Sequence, residues 1–142
     1  MSDQPERSGL GVASAPMGPD VDIAKLWEAM VAKVERPQDF LPVENVECKP
    51  LPNGGTWRSM YLPATDYKYV EHIYCNEEKK EVLFIELDAE GNESDNVIVN
   101  QIIGDKLEYF KKSAKTGERL DWDAPRAAVQ KSIDKSVDMA RK

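Results

Sequence analysis

The chain divides by its hydrophobic pattern into a helical stretch, a long run of extended segments and a final helical stretch. From Ile23 onward, apolar side chains recur at intervals of three and four residues, which is typical of one face of an amphipathic helix. Asp20 or Asp22 can accept hydrogen bonds from the first free amides, and Pro37 ends the pattern after about four turns. The apolar stripe of this predicted helix is Ile23, Leu26, Trp27, Met30, Val31 and Val34.

Extended segments rich in β-branched and aromatic residues follow, with Gly, Asn, Asp or Pro between them. The connections are short, and short connections favour antiparallel pairing because parallel strands need a long crossover. A further short strand over residues 8–15 precedes the helix. The six main predicted strands are Val43–Leu51, Thr56–Leu62, Tyr67–Asn76, Glu81–Asp88, Asn96–Ile103 and Lys106–Ala114.

The chain is predicted to close with a long helix, capped by Asp123, with Pro125 in its first turn and a length of roughly 30 Å. Its narrow apolar stripe has small side chains, which leave space against a curved sheet. The pattern therefore predicts an α+β fold, a curved antiparallel β-sheet wrapped around the long C-terminal α-helix. We expect a disordered tail over residues 1–7 and a single domain over 8–142. The stripe is Ala128 or Val129, Ile133, Val137 and Ala140.

Composition excludes several classes of function. The 142 residues are 41% hydrophobic and 32% charged, as in globular domains, and the net charge of −7 disfavours nucleic acid and anionic membrane surfaces as partners. No apolar run approaches the roughly 18 residues of a membrane span, and no secretory signal is evident. We therefore expect a cytoplasmic protein in which Cys48 and Cys75 are reduced. One histidine and two distant cysteines do not suggest a metal site, no cofactor motif is present, and nothing indicates the oligomeric state.

The segment Tyr69–Cys75, YVEHIYC, holds a carboxylate and the chain's one histidine. Strand alternation puts Glu71 and His72 on opposite faces, but both faces mix apolar and polar residues, so alternation leaves the orientation open. A buried lone carboxylate costs several kcal/mol, so an inward Glu71 needs a partner, and Arg58 on the preceding strand is the candidate. That pair would be either a structural ion pair or a guanidinium presented to a ligand carboxylate or enolate.

Several motifs resemble the AtaL-like family of the START-like, or SRPBCC, helix-grip superfamily. They are LWEAMVAKVERPQDFLP at the first helix and its exit, the arginine of TWRSMYL, the Val-Glu pair of YVEHIYC, then VLFIEL, VNQI and LEYF. The resemblance covers about residues 8–142. It implies a deep, largely apolar cavity between the sheet and the C-terminal helix, with Glu71 facing inward and His72 outward. Members of the superfamily carry lipids or hormones, cyclise polyketide-like chains or serve as accessory modules, so the resemblance leaves the activity open.

With Glu71 inward, the strand registers give one set of inward side chains. Its apolar members would form a wall, and Asn100 and Tyr109 would supply hydrogen bonds, as in small-molecule sites generally. The same registers place Val82, Glu86 and Leu107 inward. The predicted ligand-binding residues are Arg58, Met60, Tyr69, Glu71, Ile73, Phe84, Ile98, Asn100, Ile102, Tyr109 and Ile133.

Three functions follow from this set and stay open. The first is a binding protein for a small hydrophobic or amphipathic ligand, such as a polyketide-like metabolite, oriented by Arg58, Glu71 and Asn100. The second is a cyclase or dehydratase for a polyketide-like substrate, with Glu71 as the candidate general acid/base and Arg58 or Tyr109 steadying an enolate. The third is a non-catalytic interaction module that binds through its acidic surface. Whether the protein is an enzyme is therefore open.

Overall fold

The structure, a computed structural model, describes residues 6–142 and shows an α+β fold, as the sequence predicts. An antiparallel sheet packs one face against two helices, and we call this the inner face. Its strand order is β2-β8-β7-β6-β5-β4-β3, and the short β9 also pairs with β8. The helices are α1 (Ile23–Glu35) and α2 (Arg126–Met139). The strands are β1 (Arg7–Gly9), β2 (Val12–Ala13), β3 (Glu44–Pro50), β4 (Thr56–Leu62), β5 (Tyr67–Asn76), β6 (Glu81–Leu87), β7 (Glu93–Ile103), β8 (Lys106–Ser113), β9 (Arg119–Leu120) and β10 (Trp122–Pro125).

Helix α1 begins where its capping residue predicts. Asp22 Oδ1 accepts hydrogen bonds from the amides of Ala24 at 3.0 Å and Lys25 at 3.2 Å, which satisfies two of the free N–H groups at the helix start. The helix ends before Pro37, also as predicted. Its buried face is rotated from the predicted stripe, because Ile23 and Val31 are exposed and Lys33 is buried instead.

The six main strands are confirmed, and the largest shift is in β7, which begins at Glu93 instead of Asn96. The single strand predicted over residues 8–15 is wrong. Gly9 and Gly11, with φ of 59° and 136°, break it into β1, which pairs with β10, and β2, which pairs with β8. Arg7 lies in β1, so the predicted disordered tail is wrong at that residue, and its residues 1–5 lie outside the described part of the chain.

The predicted start of the terminal helix is wrong. Asp123 lies in β10, which pairs with β1, so α2 begins only at Arg126, and no side chain caps it. The Arg126 amide instead donates to the carbonyl of Glu6 at 2.9 Å. With 14 residues, α2 is about 21 Å long, shorter than predicted. Its apolar stripe is confirmed with Val129 as the first member, and the buried residues are Val129, Ile133, Val137 and Ala140 together with Ser132 and Ser136.

The main core lies between the inner face and the two helices. Leu26, Trp27 and Met30 of α1 and Ile133 of α2 pack there with side chains of β5 to β8. A second, smaller cluster on the outer face of the sheet contains Ile85, Val97, Val99 and Phe110. Within residues 6–142, neither helix is long and apolar enough to cross a membrane.

The cap of α1 gives the first prediction. Replacement Asp22→Ala removes both capping bonds, so we expect the free energy of unfolding to fall by about 1 kcal/mol in urea titrations followed by circular dichroism. The matched variant Asp22→Asn keeps a capping oxygen and should change it by only a few tenths of a kcal/mol, roughly. Equal losses in the two variants would contradict the capping role.

A buried polar cluster as the candidate functional site

The structure places the predicted ligand-binding residues on the inner face of the sheet or on the helix packed against it. Strand pairing aligns Arg58 with Glu71, Met60 with Tyr69, and Asn100 with Tyr109. Another row crosses the sheet from Ile73 through Phe84 to Ile98. All are buried except the half-buried Tyr69, Ile98 and Ile102. The predicted inward residues Val82 and Leu107 are buried as well, whereas Glu86 is exposed.

Arg58 and Glu71 form a buried ion pair. Glu71 Oε1 accepts hydrogen bonds from Arg58 Nη2 at 2.7 Å and Nε at 3.2 Å, and the two side chains are only 3% and 11% exposed. Both residues are buried, so each charge depends largely on the other for compensation. The carboxylate of Glu71 therefore has a fixed orientation on the inner face.

The other end of the Arg58 guanidinium holds helix α1. Its Nη1 donates to the backbone carbonyls of Lys33 at 3.0 Å and Val34 at 2.9 Å, which lie in the last turn of the helix. Those carbonyls lack partners within the helix and carry the negative end of its dipole, so a cation is favourable there. Four of the five guanidinium N–H groups thus donate within the protein. This supports a structural ion pair over a guanidinium that is presented to a ligand.

Glu71 uses only one of its two oxygens. Within residues 6–142, Oε2 accepts no hydrogen bond. It is not sealed from solvent either, since the Ser132 hydroxyl is the one fully buried side-chain N or O atom of the described chain that lacks a partner. Oε2 is therefore a hydrogen-bond acceptor without a partner in the described chain, on a side chain that is 11% exposed.

Tyr69 and Tyr67 lie on the side of Glu71 that leads to the surface. Their rings meet edge to face at 4.5 Å, and Tyr67 is 44% exposed. Burial raises the pKa of Tyr69, and the charges of nearby groups, including Glu86 and Glu71, raise it further. The Tyr69 hydroxyl therefore stays neutral beside Glu71 at physiological pH.

Lys33 is the site residue that the sequence pattern missed. Its Nζ donates to the Tyr109 hydroxyl at 2.9 Å and lies 4.2 Å from the Tyr109 ring centroid. An ammonium can only donate, so the Asn100 carboxamide is oriented with Oδ1 toward it, accepting at 2.6 Å. The only signal in the sequence was position, because Lys33 follows Met30 by three residues at the edge of the apolar stripe. We call Lys33, Arg58, Glu71, Asn100 and Tyr109 the buried polar cluster.

The deep cavity implied by the resemblance does not appear among the clefts found in residues 6–142. Clefts of 720, 380 and 270 Å³ lie along the outer side of α2, on the outer face of the sheet around His72, and between the N-terminal segment and α2. None of the three is lined by the buried polar cluster. Between the sheet and α2, side chains such as Leu107 and Ile133 pack in one continuous core.

His72 lies on the outer face, away from the cluster. Its Nδ1 is 2.8 Å from Glu93 Oε2, and the same oxygen accepts a hydrogen bond from the Tyr74 hydroxyl at 2.5 Å. The Tyr74 bond, followed by that of His72, lowers the pKa of Glu93 below its usual 4.5. His72 therefore belongs to a surface polar group and not to the candidate site.

The Arg58–Glu71 pair gives the second prediction. Replacement Arg58→Met leaves a buried carboxylate and two helix carbonyls without their donor, so we expect unfolding free energy to fall by about 3–5 kcal/mol. The double variant Arg58→Met/Glu71→Leu removes both charges and should recover a large part of the loss. Urea denaturation measures both, with Arg36→Met, which breaks a surface pair, as an unchanged control. No recovery in the double variant would contradict the ion-pair account.

The Glu93 group gives a third prediction, on pH. The pKa of Glu93 is lower in the folded protein than its ordinary value of 4.5. The stability that the Glu93 carboxylate contributes to the fold is therefore complete above pH 4.5, and it is lost as the pH falls through the lowered pKa. Glu93→Gln should therefore lower the thermal midpoint at neutral pH and have no effect near pH ~2. The exposed Glu78→Gln serves as the control in the same melts. A deficit in Glu93→Gln that persists unchanged in acid would refute this assignment.

Comparison with known proteins leaves the family assignment at the level of a resemblance. The chain matches no protein-family model, and neither a curated protein nor a solved structure matches it. What can be said of its function therefore follows from the geometry of the buried polar cluster and from the residues of the sequence.

Proposed function

We propose that the protein binds a small, partly apolar ligand that reaches the inner face of the sheet and donates a hydrogen bond to Glu71. The observation that carries this proposal is that Glu71 is buried and fixed by Arg58, yet its Oε2 has no partner in the described chain and is not completely buried. A structural ion pair has no need to leave one oxygen open.

The surroundings of Oε2 suit a ligand of mixed character. Met60 is opposite Tyr69 on the neighbouring strand, and Ile98 is half-buried on β7, two strands from Glu71. These side chains offer apolar contact, and the exposed Glu86 lies directly across from Glu71 on β6. An apolar surface with a few polar groups is the usual composition of a small-molecule site. In this proposal Met60, Tyr69, Glu71 and Ile98 contact the ligand, while Arg58 positions Glu71.

We further propose that the fold is the helix-grip arrangement and that the chain is related to the AtaL-like family. The order of elements supports this, since a helix, a run of antiparallel strands and a C-terminal helix follow one another as the resemblance implies. The inward position of Glu71 beside Arg58 supports it too. The proposal concerns the fold and leaves the ligand to be identified by experiment.

Proton transfer is the second candidate function, and the same open oxygen favours it. A carboxylate held by two guanidinium bonds, with its second oxygen free of hydrogen bonds from the described chain, has the fixed geometry that a general base requires. On a polyketide-like substrate, that geometry would serve a cyclase or dehydratase. Binding is the first candidate because it needs only the acceptor.

The fourth prediction uses para-fluorobenzyl alcohol and its methyl ether, which differ in the one hydrogen-bond donor. Fluorine NMR titration should show the alcohol binding wild-type protein about tenfold more tightly, because a hydrogen bond to a charged acceptor contributes about 1.5 kcal/mol or more. Glu71→Gln places an amide in that position and should remove the advantage while leaving the affinity for the ether unchanged.

The control for this experiment is Glu81→Gln, which changes a carboxylate on the outer face of the same sheet and should keep the preference for the alcohol. Equal affinities of the two compounds for the wild type would refute the role of Glu71. The absence of binding by both compounds would refute the proposed function.

A further inference from the structure

The buried polar cluster has more positive than negative charge. It holds the cations of Lys33 and Arg58 and one carboxylate, Glu71, which is engaged with Arg58. Lys33 is 5% exposed, and no carboxylate of the described residues lies within 4.0 Å of its Nζ. Burying an ammonium costs several kcal/mol unless it is compensated, and an amide, a hydroxyl and a ring face compensate it only in part.

The hydrogen-bond count points to two unused donors. An ammonium has three N–H groups, and those of Lys33 have two acceptors in residues 6–142, the Tyr109 hydroxyl and Asn100 Oδ1. The Tyr109 hydroxyl accepts from Lys33 and donates to no atom of the described chain. Two adjacent atoms, 2.9 Å apart, thus each have a hydrogen without an acceptor.

We propose that Lys33 and Tyr109 bind the carboxylate of a small organic acid. Its two oxygens would accept from Lys33 Nζ and Tyr109 Oη, in charge-assisted bonds stronger than neutral ones. Its negative charge would also balance the cluster, with two cations facing two carboxylates. This inference rests on the proposed function, since both place a ligand on the inner face, and it assigns that ligand to the class of carboxylic acids with an apolar body.

In this proposal the apolar body of the acid lies against Phe84, a core residue between the two polar sites. Lys33 Nζ and the Arg58 guanidinium carbon lie 5.6 and 5.4 Å from the centroid of its ring, so the ring contacts both cations. Glu71 is on β5 and Tyr109 on β8, three strands away, or about 14 Å between backbones. One small polar group cannot bridge that distance, so the carboxylate site is separate from the Glu71 acceptor, with Phe84 between them.

The alternative reading is that Lys33 serves only to tie α1 to β7 and β8. The two readings differ in one measurable property, because a purely structural lysine has no effect on the choice between an acid and an alcohol. The experiment therefore compares para-fluorophenylacetate with para-fluorobenzyl alcohol by fluorine NMR titration. The proteins are the wild type, Lys33→Met, Tyr109→Phe and the control Lys25→Met, which changes an exposed lysine on the same helix.

We expect para-fluorophenylacetate to bind wild type and to lose about tenfold or more in affinity with Lys33→Met. Tyr109→Phe keeps the ring and removes one donor, so it should lose about fivefold, and it tests the site even where Lys33→Met does not fold. The affinity for the alcohol should stay within roughly twofold in every variant, and Lys25→Met should behave as wild type.

The outcomes separate this inference from the proposed function. Binding of the alcohol without binding of the acid, or equal affinity of the acid for wild type and Tyr109→Phe, overturns the carboxylate site and leaves the Glu71 acceptor standing. Binding of the acid that depends on Lys33, with no dependence of the alcohol on Glu71, supports the carboxylate site and overturns the Glu71 proposal. No binding of either compound overturns both.

Discussion

The structure depends on the guanidinium of Arg58, which joins three elements at one buried point. It pairs with Glu71 across β4 and β5 and donates to the last carbonyls of α1. A planar group with donors along several edges can do this, whereas a lysine ammonium could not reach the carboxylate and the helix end together. Because both side chains are buried, each bond helps to offset the loss of hydration. The position of α1 over the sheet and the orientation of Glu71 are therefore set by the same interaction.

That arrangement explains why a second buried cation can be tolerated nearby. Lys33 lies in the turn of α1 that Arg58 anchors, so its side chain is held against Asn100 and Tyr109 even though burial of its charge is costly. A core selected for stability alone would favour an apolar side chain at this position, since replacing buried charge by packed apolar groups is often stabilising. Under the carboxylate-site proposal, the bound anion would supply the negative charge that Lys33 lacks within the described chain.

The sequence predicted the sheet well because its signals are local. Alternation and turn residues defined the six main strands, and hairpin pairing then brought Arg58 beside Glu71. The errors came from contacts between distant parts of the chain. Asp123 is a plausible cap in its own segment but pairs with β1 at the other end of the chain. Lys33 reads as a surface residue until Asn100 and Tyr109, some 70 positions later, are placed opposite it. Alternation alone could not decide which face Glu71 occupies, and the resemblance did.

The lengths of the elements explain why the inner face becomes more exposed toward the start of β5. Strand β5 has 10 residues and spans about 33 Å, while α1 and α2, with 13 and 14 residues, span only about 20 and 21 Å. Neither helix alone can therefore cover the whole length of β5. Tyr67 and Tyr69, at the start of β5, are exposed and half-buried, whereas Ile73 further along is buried. Glu71 lies between these two regions, where the covered core meets the more exposed start of β5.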